Sequence, residues 1–367
     1  MALFGSKVSV GVDVSGNMVK LVQLGKRGND IVLLQLSMTK VSDEPLDKME
    51  WETKAGLIAN AIKKVVAEAK IKTKEVNTSV SGSSVVVRYI KLPYATERDL
   101  RNTIRTEAED YIPFNIQDVA LDFQILGQVK EEGEEKIKVL LVAAKNELIH
   151  QHFEILKMAK LVPVLINVDT FATEDAWSLS GEGKEDVVAL VEISNTSTNI
   201  NIVEHGVSCF NRDAIIGGND FIEAIQREFN LDFRKADQVM DKMCGILLAK
   251  REEGGVPEEE EQLTEDRVSS TLERVAGKLL AELNRSFAYY YTQSHGGSID
   301  KVVLSGGSAR ILNLDKFLSN GLGTQVAILN PFARVKIDPN KFNLDLINRM
   351  APAFAVSIGL AFRGLVG

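Results

Sequence analysis

GVDVSGNMVK, residues 11 to 20, is answered far along the chain by LVEISNTSTN, residues 190 to 199, which repeats its order of strand, acid, spacer, serine and polar turn. Another apolar strand follows each copy. Each therefore reads as a β-hairpin with an acid, Asp13 or Glu192, at the end of its first strand. Two such hairpins predict two similar halves facing one another across a cleft. The turns, Ser15-Gly16-Asn17 and Ser194-Asn195-Thr196, offer backbone N–H groups and hydroxyls that can hold phosphate oxygens. The carboxylates can hold Mg²⁺ through water, so the cleft suits a polyphosphate with its metal.

Outward from the first hairpin, residues 7–14, 18–25 and 31–38 read as three successive strands, and 187–193, 198–203 and 207–213 repeat that opening. Leu57, Ile58, Ala61, Ile62, Val65, Val66 and Ala69 keep the spacing of one helical face, which must pack on the first sheet. A strand at 85–92 follows. Thr96 with Asp99 approximates a capping box for a helix turning Leu100, Ile104, Ala108 and Tyr111 inward. Strands near 119–129 and 136–143 flank the acidic turn KEEGEE, and Asn146 is expected to cap a helix through Leu161. The chain returns with VLINVD, then a helix from Ala172 to Leu179. In the second half Asn219 is expected to cap a helix through Phe229, a second helix runs from Phe233 to Cys244, and a long one ends near Gln293. Between the last two lies the acidic REEGGVPEEEEQLTED, residues 251–266, which reads as a solvated loop. The strand KVVLSGG precedes a helix from Ile311, and MAPAFAVSIGLAFRG reads as a helix packed between both halves. The expected class is α/β. The expected divisions are a first lobe at 1–84 and 162–185, an inserted subdomain at 85–161, and a second lobe at 186–367 with a helical subdomain near 219–299.

Composition narrows the function. The 367 residues exceed what single cores usually reach, and a formal charge of -8 argues against a nucleic-acid partner, which would want a basic face. The two cysteines, Cys209 and Cys244, form neither a C-x-x-C pair nor a disulfide framework, so a reducing cytoplasm is the simplest home. MALFGSK runs into a strand without an apolar signal segment, and the apolar run Met350 to Phe362 is too short to span a bilayer. Membrane attachment is therefore expected only through a partner. His150 and His152, two apart on a helix, point to different faces and do not suggest a metal site.

In KVVLSGGSARILNLDKFL, residues 301–318, two glycines between strand and helix let a flat ligand approach backbone that a Cβ would obstruct. Acidic hairpin, acidic hairpin and Ser-Gly-Gly turn, in that order, resemble the phosphate and adenosine motifs of the actin, Hsp70 and sugar-kinase superfamily. The inserted unit looks like that of the division protein FtsA. SGSSVVVRYIKLP, EAEDYIPFNIQDVALDFQIL and VLLVAAKNELI together resemble the PilM family of type IV pilus assembly proteins, with similarity over nearly the whole chain. The resemblance implies an actin-like ATPase fold with two ribonuclease-H-like lobes and an FtsA-like inserted subdomain. It implies ATP and Mg²⁺ as ligands, with Asp13 holding the metal through water and Lys20 as the basic position closing the hairpin. Glu192 then occupies the second phosphate-motif acid. Gly306, Gly307 and Ser308 match the adenosine motif, and Gly217 with Gly218 the glycine pair beside ribose and phosphates. Asp169 falls where an acid can orient attacking water.

Departures from the pattern bear on chemistry. Ser15 and Ser194 stand where that family usually has glycine, placing side chains where backbone should approach phosphate. Glu192 is one methylene longer than the usual aspartate, and Met240 stands where related chains often carry a lysine near the base. Nucleotide binding is expected, and efficient hydrolysis is not.

The residues alone leave simpler readings: Asp13 as the end of a strand, Lys20 as a solvated strand residue, Gly306 and Gly307 as a tight turn, Asp169 as a helix-capping acid. Three functional classes follow. The first is a nucleotide-loaded scaffold, whose partners by resemblance are the cytoplasmic N-terminal tail of PilN, docked as an extended peptide, and other platform and motor proteins at the inner membrane. That makes the chain cytoplasmic and peripheral to the inner membrane. The second is a small-molecule kinase, which needs a general base and polar substrate pocket that the sequence does not display. The third is an FtsA-like filament-forming ATPase, which would end in an amphipathic membrane helix rather than in Ser-Ile-Gly-Leu-Ala and LVG.

Overall fold

A computed structural model describes residues 7–131, 133–181, 186–243, 245–246, 264–293 and 298–367. The expected N-terminal lead, Cys244 and nearly all of the acidic stretch lie outside the described residues. The chain opens with β1 (Val8–Ser15), β2 (Met18–Arg27) and β3 (Asp30–Lys40), followed by α1 (Trp51–Glu68) and β4 (Glu75–Val80). Next come β5 (Val85–Pro93), α2 (Glu97–Ala108), β6 (Val119–Glu131), β7 (Glu134–Lys145) and α3 (Asn146–Met158). The return is β8 (Val162–Val168) and α4 (Asp169–Ser180). The second half holds β9 (Val187–Ile193), β10 (Thr198–Glu204), β11 (Val207–Ala214), α5 (Gly218–Phe229), α6 (Phe233–Met243) and α7 (Glu265–Gln293). It closes with β12 (Lys301–Ser305), α8 (Leu314–Leu322), β13 (Gln325–Ile328), α9 (Leu344–Met350) and α10 (Ala355–Val366).

The internal repeat is a repeat of topology. One sheet has the order β3-β2-β1-β4-β8, the other β11-β10-β9-β12-β13, each with an antiparallel hairpin pair and two parallel strands beyond it. Period-two alternation explains how each sheet is covered on both faces. In β9, Val187, Ala189, Val191 and Ile193 enter a core with α5, α7 and α8, while Val188 and Leu190 enter a core shared between the sheets. In β2, Val19 and Leu21 meet α1, and Val22 and Leu24 join that shared core. The shared core is filled by α4 and α10, so the apolar C-terminal helix does lie between both halves.

β4 and β13 were not expected from sequence. β4 pairs parallel with β1 and β8, and β13 with β12. Local boundaries also differ. α2 ends at Ala108, so Tyr111 is exposed and Ile112 turns inward instead. The N-cap of α3 is Lys145, and Asn146 donates its amide to the Gln117 carbonyl at 3.3 Å. α4 begins at Asp169, three residues early. Gly217, not Asn219, caps α5, because the Asp220 carboxylate accepts from the Gly217 N–H at 2.8 Å. The segment after Gly306 is a 3₁₀ turn, Gly307–Arg310, and α8 starts only at Leu314.

The apolar run at residues 350–362 lies within a longer helical stretch, Leu344–Val366, that is long and apolar enough to cross a membrane by length and composition. Two-thirds of its most apolar window is buried within the fold, which is where that apolar surface is used.

The inserted unit is a three-stranded sheet of order β5-β7-β6 with its own core under α2, including Leu100, Ile104, Leu141 and Ile137.

Candidate nucleotide cleft and neighbouring groove

The first hairpin fixes the first half of the site through register. Asp13 and Lys20 are direct cross-strand partners, and Ser15 pairs with Met18 around the two-residue turn. Lys20 Nζ donates to Asp13 Oδ2 at 2.7 Å and to Ser15 Oγ at 2.7 Å, and Ser15 Oγ donates to Asp13 Oδ2 at 3.2 Å. Lysine and aspartate are both buried, so Lys20 is not a solvated strand residue. Gly16 adopts φ +56°, and a Cβ there would strike the Asn195 side chain at 2.4 Å. The two turns therefore touch across the lobes. Asn17 uses its amide and carbonyl on the backbone of Ser42 just beyond β3.

The second hairpin repeats the register without the lysine. Glu192 pairs with Asn199, whose amide donates to Asp213 Oδ1 at 2.8 Å. The Glu192 side chain is buried. Burial, reinforced by the negative charge of Asp169 and Asp13 and opposed by Lys20, pushes its pKa well above the carboxylate range. Turn carbonyls of this hairpin accept from the first amides of α5: Gly218 N–H to Ser194 at 2.8 Å and Asn219 N–H to Asn195 at 2.7 Å. The glycine pair thus docks helix on turn, and a Cβ at Gly217 would meet the Asn195 carbonyl at 2.6 Å.

Gly306, at φ +89°, lies against the acid strand: a Cβ there would meet the Ile193 carbonyl at 2.3 Å and Glu192 Oε1 at 2.8 Å. Gly307 has open space before it. These pieces enclose a cleft of about 530 Å³ between the lobes. Ser15, Asn17 and Lys20 line it from the first hairpin, Glu192, Ser194 and Asn195 from the second, and Gly218, Gly307 and Ser308 from the turns beyond. Asp13, Gly16, Gly217 and Gly306 stand behind that wall, and Thr196 is exposed outside it. Of the outer wall, where Met38 and Lys40 of β3 face Phe233, Asp237 and Met240 of α6, sequence reasoning named only Met240. The i, i+4, i+7 spacing of those three is the signal that could have found it.

Asp169 lines instead a pocket of about 20 Å³ behind Glu192 and Ser194, room for a single water. Burial first, then repulsion from Asp13, raises its pKa to about 6, against hydrogen bonds from Ser79 and Ser81 and the charge of Lys20. Among the described residues no cluster of three or more acids, histidines or cysteines is arranged to hold a metal alone. Among the described residues Asp13 Oδ1 takes no hydrogen bond, which fits a Mg²⁺ taken through water together with phosphates, the usual habit of that ion.

A second cavity, about 710 Å³, lies where the inserted sheet meets the first lobe. Its walls include Phe123 and Ile125 of β6 and Leu165 and Ile166 of β8, each an edge strand of its sheet. At its floor the Tyr89 hydroxyl bonds to Ser208, Ser208 donates to Asn201 Oδ1, and the Asn201 amide donates to Glu174 Oε2 at 3.2 Å. This chain ties the inserted sheet, the second lobe and α4 together. Burial raises the Glu174 pKa from 4.5 to about 7, only partly offset by the Asn201 bond. A carboxyl whose folded pKa is raised holds a proton that the unfolded chain releases, so its contribution to stability falls as pH rises from about 4.5 to about 7. Glu174→Gln is accordingly expected to be more stable than the parent at pH 8, by roughly 3 kcal/mol, and equal to it at pH 4. Urea unfolding at the two pH values checks this, and an equal gain at both would remove the titration.

Two lobes of one repeated topology, closing a cleft on paired acidic hairpins, define an actin-like ATPase fold. Solved structures agree. The ethanolamine utilization protein EutJ from Carboxydothermus hydrogenoformans matches at TM-score 0.54 and 12% identity, over 97% of this chain and 89% of that one. MreB5 of Spiroplasma citri bound to ADP matches at 0.50 and 11%, over 96% and 94%. Within that class the chain belongs to the family of the type IV pilus assembly protein PilM, whose family model matches residues 11–365. It is similar to a chain of a PilM-PilN type IV pilus biogenesis complex, at TM-score 0.82 and 28% identity over 98% of this chain and 99% of that one.

Proposed function

We propose that this protein is a cytoplasmic scaffold at the inner-membrane platform of type IV pilus assembly. It clasps ATP with Mg²⁺ between its lobes and receives the N-terminal cytoplasmic tail of PilN in the groove between β6 and β8. The observation that carries this reading is the whole-chain likeness to the PilM-PilN complex, together with family membership over residues 11–365. The groove supports it: two open strand edges offer backbone donors and acceptors to an extended peptide, and apolar side chains offer pockets for alternate residues. For ATP the support is the cleft itself, with Lys20 and the hydroxyls of Ser15, Ser194 and Ser308 for phosphates and the Gly307 opening for a flat base. Asp13 is the residue that would hold the metal through water. Asp169 would orient water, but Glu192, one methylene longer than the usual aspartate and with its pKa raised by burial, stands in front of it, and turnover is slow or absent.

The kinase and filament readings are not favoured by family membership. A synthetic PilN tail should bind one to one by calorimetry. Leu165 faces the groove and belongs to none of the cores, so Leu165→Asp should weaken the tail by about 2 kcal/mol, roughly thirtyfold, and leave ATP binding unchanged. Equal affinity in both proteins would move the tail elsewhere, and no binding to the parent would reject the scaffold.

A further inference from the structure

The outer wall of the cleft carries an ion pair between the lobes. Lys40, the last residue of β3, donates from Nζ to Asp237 Oδ2 of α6 at 2.6 Å, a contact between residues 197 apart in sequence. Both side chains line the cleft and are part-exposed, 33% and 25%, whereas Lys20 and Glu192 at the inner end are buried. The pair therefore sits at the mouth. At the other end of the same strand the lobes are fixed by backbone: Leu33 N–H donates to the Lys336 carbonyl at 2.9 Å and Lys336 N–H to Ile31 at 2.8 Å. Seven residues of strand, about 23 Å, separate that seam from Lys40. Lys40 also has a second carboxylate on its own side, Asp43 Oδ1 at 3.4 Å.

We propose that Lys40 and Asp237 form a latch across the mouth of the cleft that retains bound nucleotide, and that Asp43 receives the Lys40 ammonium when the latch opens. The proposal rests on the reading of the cleft as a nucleotide site. Its physics is a jaw fixed at one end and held at the mouth by a charge that can change partners. In the closed arrangement the ammonium lies between two carboxylates and draws most on Asp237. When α6 swings away, Asp43 keeps the ammonium paired, so opening exchanges one ion pair for another and does not strand a charge. Three nearby apolar side chains, Met38, Phe233 and Met240, divide between the same two elements, so the same motion uncovers the outer cleft.

The two carboxylates therefore act with opposite sign, which an ordinary surface ion pair would not do. The test is stopped-flow release of a fluorescent ADP analogue from the whole protein. Asp237→Asn should release it about three- to fivefold faster, the range of a part-exposed ion pair. Asp43→Asn should release it about twofold more slowly. Raising salt from about 0.05 to about 0.5 M should speed release from the parent and leave Asp237→Asn nearly unchanged. Unchanged release in Asp237→Asn, or faster release in Asp43→Asn, overturns the latch while leaving the nucleotide site intact. Failure of the parent to bind the analogue overturns both.

Discussion

Lys20→Met is expected to cost about 3–5 kcal/mol of folding stability and to abolish nucleotide binding, the largest effect of any single side-chain change in the cleft. Asp13 has 2% of its side chain exposed and Lys20 7%, so bulk solvent screens neither charge well. Removing the ammonium leaves the carboxylate with only the Ser15 hydroxyl at 3.2 Å. A neutral hydroxyl does not replace a buried counter-charge, because the desolvation of the carboxylate is then uncompensated. Asp13→Asn/Lys20→Met, which removes both charges with nearly the same volume, should recover most of the lost stability and none of the binding. Urea unfolding and ATP calorimetry on the three proteins separate the two effects. A single-variant loss below about 1 kcal/mol would mean that the Asp13 carboxylate is compensated without Lys20.

The parts of the fold that were legible in sequence are those written as local alternation. Both hairpins, the amphipathic α1 and the Thr96 cap, whose hydroxyl accepts from Asp99 N–H at 3.2 Å, follow from spacing alone. β4 was illegible because EVNTSV carries polar side chains at positions that turn out to be buried. Asn77 donates to Ser9 Oγ at 2.7 Å and to the Val10 carbonyl at 3.2 Å, and Thr78 bonds to His152 Nε2 at 2.9 Å. Those partners come from distant segments, and only pairing makes such burial tolerable. His152 is accordingly a core histidine, its pKa lowered by burial to about 4. The repeat does hold the missing information: KVVLS pairs parallel with β9 beyond the second hairpin, as β4 does with β1 beyond the first. For the site, the inner wall was legible because each hairpin is contiguous. The outer wall was not, because Lys40 and Asp237 meet only through packing of the lobes.

Gly359→Ala should destabilise the protein by about 3 kcal/mol, at the upper end of what one added methyl costs in a packed core. α10 crosses α4 and β1 with no side chain between the backbones. A Cβ on Gly359 would lie 1.7 Å from the Ala172 carbonyl oxygen and 2.6 Å from its carbon. On the other side a Cβ on Gly11 would lie 2.0 Å from the Ser357 oxygen and 2.7 Å from the Ala361 nitrogen. The obstacle in each case is main chain, which cannot rotate away as a side chain can, so the helix must move as a body. Moving it opens the core that the two lobes share, where Ile358 and Ala361 are fully buried. Gly56→Ala in α1 is the control: nothing lies within 4 Å of the added carbon, and the helix should gain about 0.5–1 kcal/mol. Because α4 begins at Asp169 and α10 supports β1 behind Asp13, Gly359→Ala should also weaken nucleotide binding without touching the cleft. A Gly359→Ala protein as stable as the parent would mean that α10 can ride off α4 freely. The two lobes would then have to be held in register by the β3 seam, the cleft contacts and the Tyr89-to-Glu174 chain.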